Sequence, residues 1–181
     1  MDKRAIRTRM ALAEALMTLA PQEGFDALEI SKLTATAGVG RSTFYKHFAD
    51  KDDFLINSFA GMVAGFDAAA QRNRSYREML PAREVFAHVV AAREFALALG
   101  SSGQFARTQT QREDRLRVIA EGNLGRLHPN LTAAQRQETA VILAGAFASL
   151  LRWWIEGGLT QSADHVAGLY ETLAKRIIVA Q

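Results

Sequence analysis

The 181-residue sequence contains no cysteine. This excludes a disulfide framework, a Cys-ligated zinc or iron–sulfur centre and a thiol nucleophile. Its four histidines, His47, His88, His128 and His165, are scattered without HExxH or paired spacing, so a His-based metal site has no support. Proline occurs 3 times, and valine and isoleucine together 17 times, which disfavours a strand-rich fold. The longest apolar run, Ala140 to Leu151, is too short to cross a bilayer and ends at Arg152. The N-terminus enters a charged, amphipathic stretch rather than an apolar signal core. The expectation is a cytoplasmic protein with no membrane partner, no metal and no cofactor.

What is abundant is alanine, the strongest helix former, at 32 residues. The length suits one compact unit or a small domain fused to a larger one. The net charge is +3, from 22 Lys and Arg against 19 Asp and Glu, too little to announce a nucleic-acid partner by itself. Its distribution says more. Lys3, Arg4, Arg7 and Arg9 crowd the first ten residues, and Gly38 to Phe48 hold Arg41 and Lys46 with no acid.

Hydrophobic spacing predicts helices throughout. Ile6, Met10, Ala13, Met17 and Ala20 draw one stripe on a first helix stopped by Pro21 and Gly24. A short second helix carries Ile30, Leu33, Thr34 and Ala37 and ends at Gly38-Val39-Gly40. A third, Arg41 to His47, turns Phe44 and Phe48 inward. Asp50, with Asp53 after it, caps a fourth. One fifth helix is read from Pro81 to Leu99 and a sixth from Gln104, loosening near Gly122 and Gly125. Thr132 and Gln135 form a capping box for a long seventh helix ending at Gly157-Gly158. The last helix, capped by Ser162, shows the stripe Val166, Leu169, Tyr170, Leu173 and Ile177. The fold class is all-α, eight to nine helices: a three-helix helix-turn-helix head over residues 1–50 and a larger helical bundle over 51–181.

Two short helices around a glycine turn also occur as an ordinary corner of an α protein. The outward face of the third helix distinguishes this one, because Arg41, Ser42, Thr43, Tyr45, Lys46 and His47 can bond phosphates and base edges. Lys51 suits a phosphate, as do the free N–H groups at the start of the fourth helix. Gly24-Phe25, Ile30-Ser31-Lys32-Leu33, Ala37 through Phe48, and Lys51-Asp52-Asp53-Phe54-Leu55 together resemble the DNA-binding pattern of the TetR family of bacterial transcriptional regulators. Gly40 stands where that family usually has a capping Ser, and Leu28-Glu29 where it has a Thr or Ser pair. The second departure removes a phosphate contact.

The resemblance implies that Arg41, Ser42 and Thr43 enter the major groove first, that Tyr45 bonds the DNA backbone, and that Lys46, His47 and Lys51 flank it on phosphates. Phe44 and Phe48 match the family's core aromatics. The basic arm at residues 3–9 is read as a solvated tail, with the adjacent DNA backbone as its alternative partner.

The seventh helix is apolar nearly all round and rich in small residues (Ala144, Gly145, Ala146, Ala148, Ser149), which suits either a central core helix or close approach of another helix. The family resemblance implies a homodimer through the last two helices and a palindromic operator read by two heads about one DNA turn apart. It also implies a small-molecule effector in the body. Phe59, Met62, Phe66, Phe86, His88, Phe95 and Trp154 are the candidate lining, though the same residues serve as plain core. The function expected is a sequence-specific regulator, a repressor released by ligand. A helical adaptor that has lost DNA binding remains an alternative. An enzyme lacks support, with no nucleophile–base set, phosphate loop or metal spacing. Glu113 and Asp114, among Arg112, Arg115 and Arg117, read as a solvated helix face.

Overall fold

The computed structural model describes residues 4–73 and 75–178 in full, with the backbone of Lys3 and Val179. Among the described residues the regular structure is helical: α1 Lys3–Glu23, α2 Ile30–Thr36, α3 Arg41–Tyr45, α4 Lys51–Ala70, α5 Ala82–Ala91, α6 Arg93–Gly100, α7 Gln104–Arg107, α8 Gln109–Leu127, α9 Ala133–Glu156 and α10 Ala163–Val179. The count exceeds the expected eight or nine because two long helices are each broken. Ala92 leaves helical geometry (φ −106°, ψ 36°) between α5 and α6, and Thr108 (φ −113°, ψ 13°) separates α7 from α8. Neither break has a glycine or proline at it. Conversely, α8 continues through Gly122 and Gly125.

The chain forms two compact units. The first holds the residues up to Ser58 together with Ala92–Thr108; the second holds Phe59–Ala91 and the chain from Gln109 onward. The first unit is built on α1, against which both α2 and α6 pack. Its core consists of Leu12, Leu16, Leu19, Phe25, Leu28, Leu33, Phe44, Phe48 and Phe54, all nearly inaccessible. Of the stripe expected on α1, Ala20 is fully buried, Ile6 and Ala13 are half-buried, and the rest is out of phase with this core. Leu12, Leu16 and Leu19 face inward, while Met10 and Met17 are 58% and 39% exposed. The helix also runs past Pro21 and stops only at Gly24, whose φ of +78° suits glycine. Pro21 falls in the last turn of α1, where it removes one backbone bond without breaking the helix.

In the second unit α8 packs along α9, and α10 packs against both α5 and α9. Trp154, Phe86, Phe147 and Tyr170 touch in that order, with ring centroids 5.0–5.4 Å apart; Phe86 and Phe147 stack, and the two outer pairs meet edge to face. Each such ring contributes about 1.5–3 kcal/mol through burial. The capping box expected on α9 is present: the Gln135 amide N–H donates to the Thr132 hydroxyl, and the Gln135 side chain accepts from the Thr132 N–H. By length and composition α9 could cross a membrane, but half of its apolar window is buried within the fold, as in a core helix. Val141, Ile142 and Trp153 nevertheless stay about half exposed, so α9 is not buried all round. On α10 the inward face is Val166, Ala167, Tyr170, Glu171 and Ala174; Leu169 and Leu173, expected inward, are 47% and 44% exposed.

Candidate nucleic-acid interface and body core

The phase of α3 is fixed by one aromatic cluster. Phe44 is fully buried, with ring centroids 5.5 Å from Phe48 and 5.9 Å from Phe54, and Phe48 and Phe54 lie 4.9 Å apart. The turn ahead of α3 is shaped by Gly38, whose φ of +63° reverses the chain after α2. There the Gly38 N–H donates to the Ala35 carbonyl and the Val39 N–H to that of Thr34. Gly40 then caps α3 in extended geometry, and its carbonyl accepts from the Thr43 and Phe44 amides. With Phe44 locked inward, Arg41, Ser42, Tyr45, Lys46 and His47 are exposed and Thr43 is half-buried. Tyr45 is 51% exposed and steadied by an edge contact of its ring on Phe44. Six of the seven expected DNA-contacting side chains therefore lie on or beside one short helix, five of them exposed.

Lys51 departs from the expectation. Its ammonium donates to three carbonyl oxygens, those of Phe25 (2.8 Å), Asp26 (2.9 Å) and Leu28 (2.6 Å), and lies 5.2 Å above the Phe25 ring. An ammonium has three donors, and all three are used inside the chain. Burial lowers its pKa, as does Arg107, while Asp26 and Asp52 raise it. In this arrangement Lys51 acts as a staple of the head. The N-terminus of α4 is likewise capped from within the chain. The Asp53 N–H donates to Asp50 Oδ1 (2.8 Å), the Ala49 N–H to Asp53 Oδ2 (3.0 Å), and Asp52 adds a further carboxylate.

Two further features of the head are corrected. Residues 4–9 are part of α1 rather than a tail, and the Arg9 guanidinium sits 5.6 Å over the Phe48 ring. The side chain of Lys3 lies outside the described residues. Leu28 is 1% exposed and plugs the core, so its departure from a hydroxyl residue serves packing. Glu29 precedes α2 in extended geometry and accepts the Ser31 hydroxyl at 2.7 Å.

Of the expected effector residues, Phe86 and Trp154 are buried in the aromatic series, and the Trp154 indole N–H donates to the Gln161 carbonyl. Phe66 and His88 meet edge to face at 5.7 Å, both half-buried, so His88 is not a core histidine. Phe59 and Met62 are also half-buried in the second unit, whereas Phe95 belongs to the first.

The second unit contains polar groups that periodicity does not reveal. Buried Asn123 donates to Asp67 Oδ1 (2.8 Å) and to the Met79 carbonyl (3.0 Å), and its own oxygen accepts from Gln71 and Arg126. Arg112 is 5% exposed rather than on a solvated face; burial, then neighbouring Arg152, push its guanidinium down to about 10. The hydroxyls of Tyr76, Thr139 and Tyr170 are buried without a hydrogen-bond partner. In the sequence, the one signal for Tyr76 is an aromatic inside the polar stretch Gln71 to Glu78.

Comparison with known proteins agrees with this geometry. Residues 12–57 match the family model of bacterial regulatory proteins, tetR family. The chain is 25% identical over 169 residues to a fatty acid metabolism regulator protein of Bacillus subtilis, covering 93% of this chain and 76% of that protein. A shorter match, 38% over 55 residues, is to an uncharacterized HTH-type transcriptional regulator of the same organism; it covers 30% of this chain and only 14% of that protein. Among solved structures, a TetR-family regulator from Syntrophomonas wolfei superposes with a TM-score of 0.66 at 20% identity, over 95% of both chains. The regulator FadR from B. subtilis in complex with stearoyl-CoA superposes with a TM-score of 0.54 at 16% identity, over 91% of this chain and 96% of that one. Residues 12–57 thus carry the head of the bacterial regulatory proteins of the tetR family, and the chain around that head shares the helical fold of solved regulators of this kind.

Proposed function

We propose that this protein is a transcriptional repressor that binds a palindromic operator as a homodimer and leaves it when a small molecule occupies the body. The observation that carries the reading is the locked phase of α3. Phe44 is buried to 0% exposure, and the opposite face presents Arg41, Ser42, Tyr45 and Lys46 to solvent. Arg41 is suited to a guanine edge, Ser42 and Thr43 to adjacent bases, and Tyr45, Lys46 and His47 to the phosphate backbone. A five-residue helix reads few base pairs, so two heads on a twofold axis supply the specificity.

Exposed apolar side chains support the dimer. Val141, Ile142 and Trp153 on α9 and Leu169 and Leu173 on α10 leave both helices with an uncovered apolar face. Gly145 and Ala146 on the same side of α9 permit a close helix approach. A twofold-related copy of the same two helices would cover both faces.

The effector reading rests on the aromatic core of the second unit and on the fatty acid metabolism regulator to which the chain is similar. The test is a gel shift on the DNA flanking the gene, with salt titration and then added stearoyl-CoA. A sequence-specific complex that weakens steeply with salt is expected, with release on adding the acyl compound. Equal binding to unrelated DNA, or none at low salt, would overturn the operator reading.

A further inference from the structure

Several cations of the head are already engaged inside the chain. Lys51 bonds three carbonyls, Arg107 pairs with Asp26 at 2.7 Å, and Lys32 in the first turn of α2 pairs with Glu23. Arg9 differs from these. It is exposed, its guanidinium lies 5.6 Å over the Phe48 ring, and no hydrogen bond or ion pair among the described residues takes its five N–H donors. Phe48 ties this position to the recognition helix: its ring is 5.5 Å from buried Phe44 and 6.1 Å from the ring of His47. Arg9 and His47 therefore flank one ring. The acids that follow Phe48 are engaged elsewhere, since Asp50 and Asp53 accept from the Asp53 and Ala49 amides at the start of α4.

We propose that Arg9, seated on Phe48, bonds a phosphate at the rim of the major groove that α3 enters, so that the head grips the DNA backbone from α3 onto α1 rather than from α3 onto α2. The inference rests on the DNA-binding reading above and names a further contact residue for it. A guanidinium can give a phosphate two parallel N–H bonds. Its contact with the Phe48 ring restricts the side chain before DNA arrives, so less freedom is lost on binding. A helix lying in the groove has a strand backbone on either side, and groups beside its end meet that backbone. α3 ends at Tyr45 with Lys46 as its cap, and His47 and Arg9 stand just past that end.

The α2 side is arranged in the opposite sense. Lys32 and Glu23 together add no net charge there, and exposed Glu29, just ahead of α2, adds a negative one. The Ser31 hydroxyl is given to that carboxylate at 2.7 Å. A phosphate approaching α2 meets like charge, whereas one approaching α1 beside Phe48 meets an unpaired cation.

The experiment measures affinity against salt concentration for the duplex flanking the gene and for a scrambled duplex, with the full-length wild type, Arg9→Met and Lys32→Ala. Methionine keeps an unbranched apolar stem against Phe48 and removes the charge. Arg9→Met is expected to retain the helical circular dichroism, to weaken both duplexes by the same factor, and to flatten the slope of log affinity against log salt by about one for each head bound. Lys32→Ala is expected to keep the wild-type slope. A wild-type slope in Arg9→Met, with or without a lowered thermal midpoint, would overturn the proposal and leave Arg9 a packing residue. A loss confined to the flanking duplex, or a slope flattened as far in Lys32→Ala as in Arg9→Met, would overturn it too. The two readings separate cleanly. A wild type that binds both duplexes alike, with a flattened slope in Arg9→Met, would remove operator specificity and keep the contact. A specific wild-type complex with an unaltered Arg9→Met slope would do the reverse.

Discussion

The Lys51 ammonium and the Leu28 carbonyl oxygen lie 2.6 Å apart, so the first residue of α4 closes the loop that leads into α2. The same ammonium takes the Phe25 and Asp26 carbonyls, and Arg107 clamps Asp26 at 2.7 Å from the outer side. The helix-turn-helix is therefore anchored by a cation that neutral sequence reading assigns to DNA. Lys51→Ala is expected to lower stability by about 1–3 kcal/mol, because three carbonyls lose a charged donor. A fall in thermal midpoint with an unchanged salt slope of DNA binding is the expected pair of results. A flattened slope at unchanged stability would return Lys51 to the phosphates.

At the recognition helix, Gly40 occupies the cap with φ −68° and ψ 142°, a conformation open to any residue. A Cβ placed there meets only the Ser42 and Thr43 hydroxyl oxygens, both at 3.8 Å. Gly40→Ser is expected to raise stability by a few tenths to about 1 kcal/mol, through the added cap and the reduced freedom of the unfolded chain. Urea denaturation checks this, and a lower midpoint would show strain in the turn.

The apolar faces of α9 and α10 lead to a test of assembly. Trp153→Glu combined with Leu169→Glu puts charge into side chains that are 51% and 47% exposed in one protomer. Sedimentation is expected to move from the mass of two chains to that of one, with the helical circular dichroism retained. A variant still sedimenting as a dimer would place the interface elsewhere.

Much of this organisation is legible in the sequence, for physical reasons that differ by element. Thr132 and Gln135, and Asp50 and Asp53, announce helix starts through local bonds, and both caps are present. Gly38 and Phe44 announce the turn and the inward face in the same way. The phase of α1 is not legible, because in an alanine-rich helix the Met10–Met17 stripe and the Leu12–Leu16–Leu19 stripe both have helical spacing. Only the packing of α2 and α6 decides between them. The break at Ala92 is hidden for a related reason: it coincides with the passage from one compact unit to the other, not with a local breaker. The internal bonds of Lys51 are not legible either, because its partners are backbone carbonyls some 23–26 residues away, which no side-chain pattern discloses.

Alkaline pH gives a fourth test. Burial raises the pKa of both Tyr76 and Tyr170 above the ordinary tyrosine value of about 10. In the unfolded chain both phenols ionise near that value, so above it the folded state holds more protons. Stability from these groups is fully present below about pH 10 and is lost as the pH rises further. Urea midpoints are expected to fall between about pH 9.5 and 11, less steeply in Tyr170→Phe. Identical pH profiles for the wild type and that variant would mean that Tyr170 ionises while folded.

The most direct test of the account is fluorescence anisotropy of operator and scrambled duplexes with the wild type and with Arg41→Ala, at several salt concentrations. Arg41 is exposed at the first position of α3, away from the Phe44 core, so its removal leaves the fold intact. The account requires Arg41→Ala to lose about 1–3 kcal/mol on the operator while binding the scrambled duplex nearly as the wild type does. Wild-type affinity of Arg41→Ala for the operator at every salt concentration would contradict it.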